Sequence, residues 1–315
     1  MLDNGWSFHQ RIFQQVSALI SFLSNCLLIF LIVFKSPKRI GSYKYLLISI
    51  PVYEIIYSIL DILLLPIFHS IGSTCVVIVV IHEHFLSRQV LQMLHSVYIG
   101  CFGYSVAIFA LHFIYRYLVM SGSKLVKSFD TWKLFLWLAG PLFVGIAASF
   151  DAYYWLSPTE KKTDRVRVDI KKALDLSPSE YTYLVSFFYS ETPDARMDFW
   201  EVGKMAVLFI PNIISMVLVT VFSLKCYECV TSLINLATTS AEHRSTQSQL
   251  FYALAAQALI PILLMNLPGG VFYILQLMNW NLGRISDFLS ISISLYPAVD
   301  PFPTIFIVRN YREAI

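Results

Sequence analysis

The chain has 315 residues, of which 57% are hydrophobic and only 14% charged, with a formal net charge of +3. A water-soluble domain carries roughly 25% charged residues, which excludes that class. A β-barrel, whose strands alternate in polarity over about ten residues, is excluded too, because the apolar runs here are longer and apolar all round. The composition predicts an all-α membrane protein.

A helix needs about 20 apolar residues to cross ~30 Å of hydrocarbon. Such windows fall at about 12–34, 45–66, 89–119, 133–155, 202–224, 250–275 and 285–308, predicting seven spans in one domain over residues 1–315. The N-terminus lacks a basic stretch and a small-residue cleavage site, so the first run reads as a retained span. It carries Asn25, a polar group able to hydrogen-bond a neighbouring helix. The second span holds Glu54 and Asp61, seven residues apart and so on roughly one face. They mark either a polar cavity or a structural polar cluster. Thr74–Ile81 (TCVVIVVI) is too short to span and rich in β-branched residues, which suits an ordered external loop.

The third span ends in HFIYRYLVM, placing Arg116 between Tyr115 and Tyr117 at the level of the headgroups, where it either anchors the helix or forms an interaction site. The basic turn after it, SGSKLVKSFDTWK, suits acidic membrane lipid or a cytosolic partner. The fourth span carries Pro141 and ends in the aromatic belt Tyr153–Trp155. Segment 156–200 contains two matches to the helix capping box, Ser157-Pro-Thr-Glu160 and Ser177-Pro-Ser-Glu180, each with proline at the first helical position. Two short helices, forming a lid, are expected there. Cys226-x-x-Cys229, after the fifth span, fits palmitoylation or plain packing better than metal. The sixth span is interrupted at Pro261 and at NLPGG, residues 266–270. The seventh encloses a carboxylate, Asp300, among Pro297, Pro301 and Pro303. An ionised carboxylate at a helix centre costs roughly 2.5 kcal/mol or more, so Asp300 must face the protein interior. Each proline removes a backbone donor, so the helix bends or loosens beside it.

Twelve basic residues, from Lys35, Lys38 and Arg39 to Arg309 and Arg312, cluster on one side of the spans. The other side has Arg11, Arg88 and Arg284 in its short segments, and seven basic residues diluted by eight acids in segment 156–200. The positive-inside rule then places the N-terminus outside and the C-terminus inside. The chain has no phosphate loop, HExxH or nucleophile elbow, and His82-x-His84 lacks further ligands. No enzyme activity, cofactor, metal or nucleic-acid partner is expected.

GSYKYLLISIPVYEIIYSILDILLLP at 41–66, HSIGSTCVVIV at 69–79, HFIYRYLVM at 112–120 and YPAVDPFPTIFIVRNYREAI at 296–315 resemble the nematode seven-transmembrane chemoreceptors of the Str/Srj type. The resemblance covers the whole chain. It implies a G-protein-coupled receptor fold, an olfactory-type chemosensory function, and residence in the plasma membrane of sensory-neuron cilia. More distantly, Tyr115-Arg116-Tyr117 stands where rhodopsin-type receptors carry Asp-Arg-Tyr, and Asp300-Pro301 where they carry Asn/Asp-Pro. There are two departures from that pattern: no acid precedes Arg116, and segment 156–200 has no cysteine to bridge to the third span.

On this reading a small environmental chemical enters from the outer side and a heterotrimeric G protein engages the inner side. Met93, Tyr98, Met205, Phe209, Phe272 and Tyr273 are the candidate ligand contacts, with core packing as their alternative role. Tyr115, Arg116 and Tyr117 are candidates for coupling. Asn25, Glu54, Asp61, Pro297, Asp300 and Pro301 form a buried polar switch. The rival reading is a seven-helix ligand-gated channel or transporter, for which the N-terminus lies inside.

Overall fold

The computed structural model describes residues 4–37, 40–41, 43–71, 74–81, 86–130, 132–190, 196–235, 241–280 and 285–315. Lys38, Arg39, His82, His84 and Arg284 lie outside them. The chain is mostly helical. Six helical segments among the described residues are long and apolar enough to cross a membrane: His9–Lys35, Tyr43–Leu64, Arg88–Met120, Leu134–Leu156, Phe199–Ser232 and Arg244–Leu277. They belong to helices α1 (Asn4–Lys35), α2 (Tyr43–Leu64), α3 (Arg88–Met120), α4 (Leu134–Asp151, continued by a π-helical turn at Ala152–Leu156) and α6 (Phe199–Asn235). The sixth runs through α7 (Ala241–Pro261), a π-helical turn at Ile262–Asn266, and α8 (Leu267–Leu277). The seventh predicted segment is two helices, α9 (Ile285–Val299) and α10 (Pro301–Ile307), meeting at Asp300, with the short α11 (Arg309–Arg312) beyond.

Proline chemistry explains both interruptions. Pro301 has no N–H for the carbonyl of Pro297, and Pro297 has none for that of Ile293. In the sixth span the amide of Asn266 reaches back to the Pro261 carbonyl at 3.1 Å and so holds the widened turn. Helix α3 lies at the centre, buried along most of its length, and packs most closely on α4 and α6. Its approach to α4 depends on small residues: a Cβ on Gly100 would collide with Ser149 Oγ and with the Gly145 carbonyl.

One end of the bundle carries a lid. Strands β1 (Ile67–Ile71), β2 (Thr74–Val80) and β3 (Tyr181–Ser186) form an antiparallel sheet in that order, with Val77 opposite Phe68 on one side and Leu184 on the other. Every residue of β2 and β3 is buried, the sheet lying between the bundle and the lid helix α5 (Glu160–Leu174), which contributes Val166 and Ile170. Both sheet edges are closed by polar side chains from the spans. Ser290 and Ser286 Oγ accept from the Phe68 and Ser70 amides at 3.2 Å, and Arg88 Nη2 donates to the Tyr181 carbonyl at 2.6 Å.

Two expectations for segment 156–200 need correction. The first capping box yields α5, but the cap is Thr159, whose Oγ1 accepts from Lys162 N at 3.3 Å; Pro158 lies before the cap. The second yields no helix. Glu180 closes a turn on Ser177, accepting from its amide at 2.6 Å, and the aromatic, β-branched run after it becomes β3.

Candidate functional site

The polar residues predicted as a switch meet in the middle of the bundle. Asn25 Nδ2 donates to the Pro297 carbonyl at 3.1 Å, the acceptor that Pro301 leaves free. Ser24 Oγ reaches the next carbonyl, Ala298, at 3.5 Å. Glu54 and Asp300, both fully buried, bring their carboxyl groups together. Asp300 Oδ2 accepts from Gln257 Nε2 on α7 at 2.9 Å, and Gln257 Oε1 in turn accepts from Thr304 at 2.6 Å. Beside the shared contact with Asp300, the Glu54 carboxyl faces the Asn25 amide and the Tyr296 hydroxyl, though neither meets it in close hydrogen-bond geometry. Seven residues toward the lid, Asp61 Oδ1 accepts from the Tyr98 hydroxyl at 3.0 Å, and Tyr98 stacks on Tyr57 with centroids 5.2 Å apart. Gln257 was legible in the sequence as a polar residue in the apolar run AAQALIP. Tyr296 and Ser24 carried no signal that sets them apart from packing.

Between this cluster and the lid is a cavity of about 470 Å³, within the usual ~300–1,000 Å³ range of small-molecule sites. The sheet end contributes Phe68, Cys75 and Phe188 to its walls, and α6 and α8 contribute Met205, Phe209, Phe272 and Tyr273. Four of the six expected contacts are therefore at its wall. The other two are not. Tyr98 is engaged with Asp61 and Tyr57. Met93 is 53% exposed and faces out of the bundle. The reason lies in its neighbours: Gln92 turns inward to Ser157 at 2.9 Å and also accepts from Thr182 of β3, while His95 is fully buried. Polar residues thus take the inner face of α3 here and leave methionine to the outer one. Among the described residues no lining side chain carries a charge.

At the opposite end, Arg116 is only 2% exposed, so it is not a snorkelling anchor at headgroup level. Its Nη2 donates to the Gln247 carbonyl on α7 at 2.6 Å, and the guanidinium lies 5.7 Å from the Tyr43 ring centroid. Tyr115, standing where an acid would be, stacks flat on Tyr43 at 4.6 Å and meets Phe129 edge-on at 4.8 Å. Tyr117 meets Phe222 of α6 at 5.6 Å. The missing acid is thus replaced by a backbone carbonyl as the partner of Arg116. Cys226 is fully buried, its thiol toward the Phe113 carbonyl at 3.5 Å, and all five cysteines are free thiols.

The lid is tied to the bundle by charge. Lys162 Nζ donates to the Trp155 carbonyl at 2.5 Å and to that of Ser157 at 3.4 Å. Burial pushes its pKa down to about 8, Glu201 opposing the shift and Lys204 adding to it. Lys204 pairs with Glu201 and stands 5.4 Å from the Trp155 ring centroid.

Residues 10–315 match the family model described as serpentine type 7TM GPCR chemoreceptor Str. The Caenorhabditis elegans protein named G-protein coupled receptor str-217 is 33% identical over 307 residues, covering 97% of this chain and 88% of that one. Serpentine receptor class r-10 of the same organism is 26% identical over 95% of this chain and 88% of its own length. Serpentine receptor class J-38 is 21% identical over 96% and 90%. With nearly the whole length matched, the chain belongs to the Str family of nematode seven-transmembrane G-protein-coupled chemoreceptors and is a multi-pass membrane protein.

Proposed function

We propose that this protein is an olfactory-type receptor. A small environmental chemical occupies the apolar cavity under the lid, and a heterotrimeric G protein engages the far end around Arg116. The N-terminus and lid lie outside the plasma membrane, in the cilium of a sensory neuron. The observation that supports this reading is the set of buried polar groups between the two ends: Asp61 with Tyr98, then Glu54 with Asp300, and Asp300 with Gln257 of α7, the helix whose Gln247 carbonyl receives Arg116. A ligand shifts such a device only by binding one arrangement more tightly than the other. Here that means a pose favouring an altered angle between α8 and α7, which withdraws the Gln247 carbonyl from Arg116.

In cells expressing a tagged receptor and a G-protein reporter, Arg116→Ala is expected to reach the surface in normal amount and to lose coupling. Normal signalling by a delivered Arg116→Ala variant removes Arg116 from the mechanism. Epitope tags at both ends, stained before and after permeabilisation, separate this reading from the channel. A receptor shows its N-terminus outside, whereas an N-terminus inside and current without G protein support the rival.

A further inference from the structure

The cavity is closed toward the lid and open toward the side. Its roof is made by Phe68, Cys75 and Phe188, and strands β2 and β3 there are wholly buried beneath α5. Ile210 and Ile213 of α6 and Ile274 of α8 belong to the cavity wall, yet they are 52%, 57% and 57% exposed on the outside of the bundle. Gly269 and Gly270 complete the wall on the α8 side, and a Cβ built on either meets nothing within 4 Å. Helices α6 and α7 pack together toward the basic end, whereas the backbones of α6 and α8 stay apart and meet through the rings of Phe209 and Tyr273, whose centroids are 4.7 Å apart. At 1.5 Å per residue Ile213 lies about 20 Å along α6 from Phe199, inside the hydrocarbon layer. The gap therefore faces lipid tails, not water.

A second feature concerns what the cavity accepts. Among the described residues its wall has no charged side chain, so an ion entering it would lose hydration with no compensation from them. Asn212, Asn266 and the Tyr273 ring with its hydroxyl interrupt the apolar surface. Asn266 Nδ2 is spent on the Pro261 carbonyl, whereas Asn212 turns its Nδ2 back to the Leu208 carbonyl at 3.2 Å and buries its Oδ1 with no donor among the described residues. An unmet buried acceptor at the wall selects for a ligand that brings an O–H or N–H.

We infer that the ligand is an uncharged, membrane-soluble molecule with one hydrogen-bond donor, such as a medium-chain alcohol. It enters sideways from the bilayer between α6 and α8, and Asn212 receives its donor. The signalling consequence rests on the receptor reading above; the gate itself does not.

The test uses the full chain in phosphatidylcholine nanodiscs and a straight-chain octanol carrying a diazirine, with adducts mapped by mass spectrometry. Adducts are expected on Met205, Phe209 and Phe272, competed by excess n-octanol. Gly270→Trp on one rim and Ile213→Trp on the other should each slow their appearance several-fold. Gly140→Ala, which adds one methyl in open space on α4 away from the cavity, should leave it unchanged. Asn212→Leu should remove the preference for the alcohol over the matching diazirine alkane. A diazirine probe ending in trimethylammonium should leave the cavity unlabelled. Cavity adducts at full rate in either folded tryptophan variant overturn the lateral route. Adducts confined to outward residues such as Val217 and Leu224, or cavity labelling by the charged probe, overturn the ligand class. A G-protein reporter separates the two readings. Cavity labelling by the octanol probe and its straight-chain homologues that never drives the reporter counts against the receptor, whereas a charged ligand that drives it without cavity labelling counts against the gate.

Discussion

Asn25 and Pro301 belong to different helices but answer one another. The proline removes the N–H that would have met the Pro297 carbonyl, and the asparagine amide supplies a replacement at 3.1 Å. Beside this contact, Glu54 and Asp300 set four carboxyl oxygens together, with the Gln257 amide donating to Asp300 and the Asn25 amide and Tyr296 hydroxyl facing Glu54. Two ionised carboxylates offer each other acceptors only. Glu54→Gln adds an N–H donor at unchanged size and is expected to raise the thermal midpoint of the detergent-solubilised receptor. Glu54→Ala, which leaves a cavity, should lower it. A glutamine variant that melts below the wild type would show that the Glu54 carboxyl has another role. At this scale the sequence is informative for types and poor for directions. Glu54, Asp61 and Asp300 are all legible as interior groups, because no lipid-facing position tolerates them. Met93 is not, because an apolar residue on a span is equally at home facing lipid or protein, and only the inward turn of Gln92 decides between them.

Among the elements, the α3–α4 seam and the lid make opposite demands. At the seam, backbone approach leaves no space at Gly100, so Gly100→Leu is expected to abolish surface delivery. Gly140→Ala, on α4 where a Cβ meets nothing within 4 Å, should be neutral or stabilising by up to about 1 kcal/mol. Equal delivery of both variants would refute close packing as the function of the seam. The lid is held through Lys162, whose proton is less tightly bound in the fold, with a pKa of about 8, than at the free value of 10.5. Between these values the unfolded chain carries more protons, so stability rises as pH climbs from about 8 toward 10.5. The neutral amine keeps two N–H groups for the Trp155 and Ser157 carbonyls. Lys162→Met should flatten the rise, read from the melting midpoint by fluorescence of Trp155 and Trp200. An unchanged slope would place the titration elsewhere. The spans are legible as elements because hydrocarbon thickness sets their length. The sheet is not, since its strands are buried on both faces and lack the alternation that marks a strand. The second capping box misleads for a related reason. Its Ser-x-x-Glu pattern closes a turn as well as it starts a helix, and the aromatic, β-branched residues from Tyr181 onward favour the strand.

For the molecule as a whole, Gln257 ties the sixth span to the broken seventh at its break, through Asp300 on one side and Thr304 on the other, while Ser292 and Arg309 make further bonds to the sixth span away from it. Gln257→Leu leaves Asp300 Oδ2 without its donor, at about 1–3 kcal/mol, and frees α7 from α10. Raised ligand-independent G-protein signalling from a surface-delivered variant is the expected result; unaltered basal signalling would make Gln257 a structural tie only. The sequence predicts a buried polar switch around Asp300 in the seventh span. The seat of the link in a glutamine, and of the Arg116 contact in a backbone carbonyl, is beyond the reach of sequence patterns, because a carbonyl leaves no letter. The break at Asp300 also bears on biogenesis. Helices of 15 and 7 residues, joined at a carboxylate, are each too short to cross a ~30 Å core unaided. This segment leaves the ribosome after the other spans, and the groups that satisfy it, Asn25 and Gln257, are already synthesised when it arrives. Its stable residence in the bilayer is therefore conditional on an assembled bundle, which makes the last helix a checkpoint on the insertion of the first.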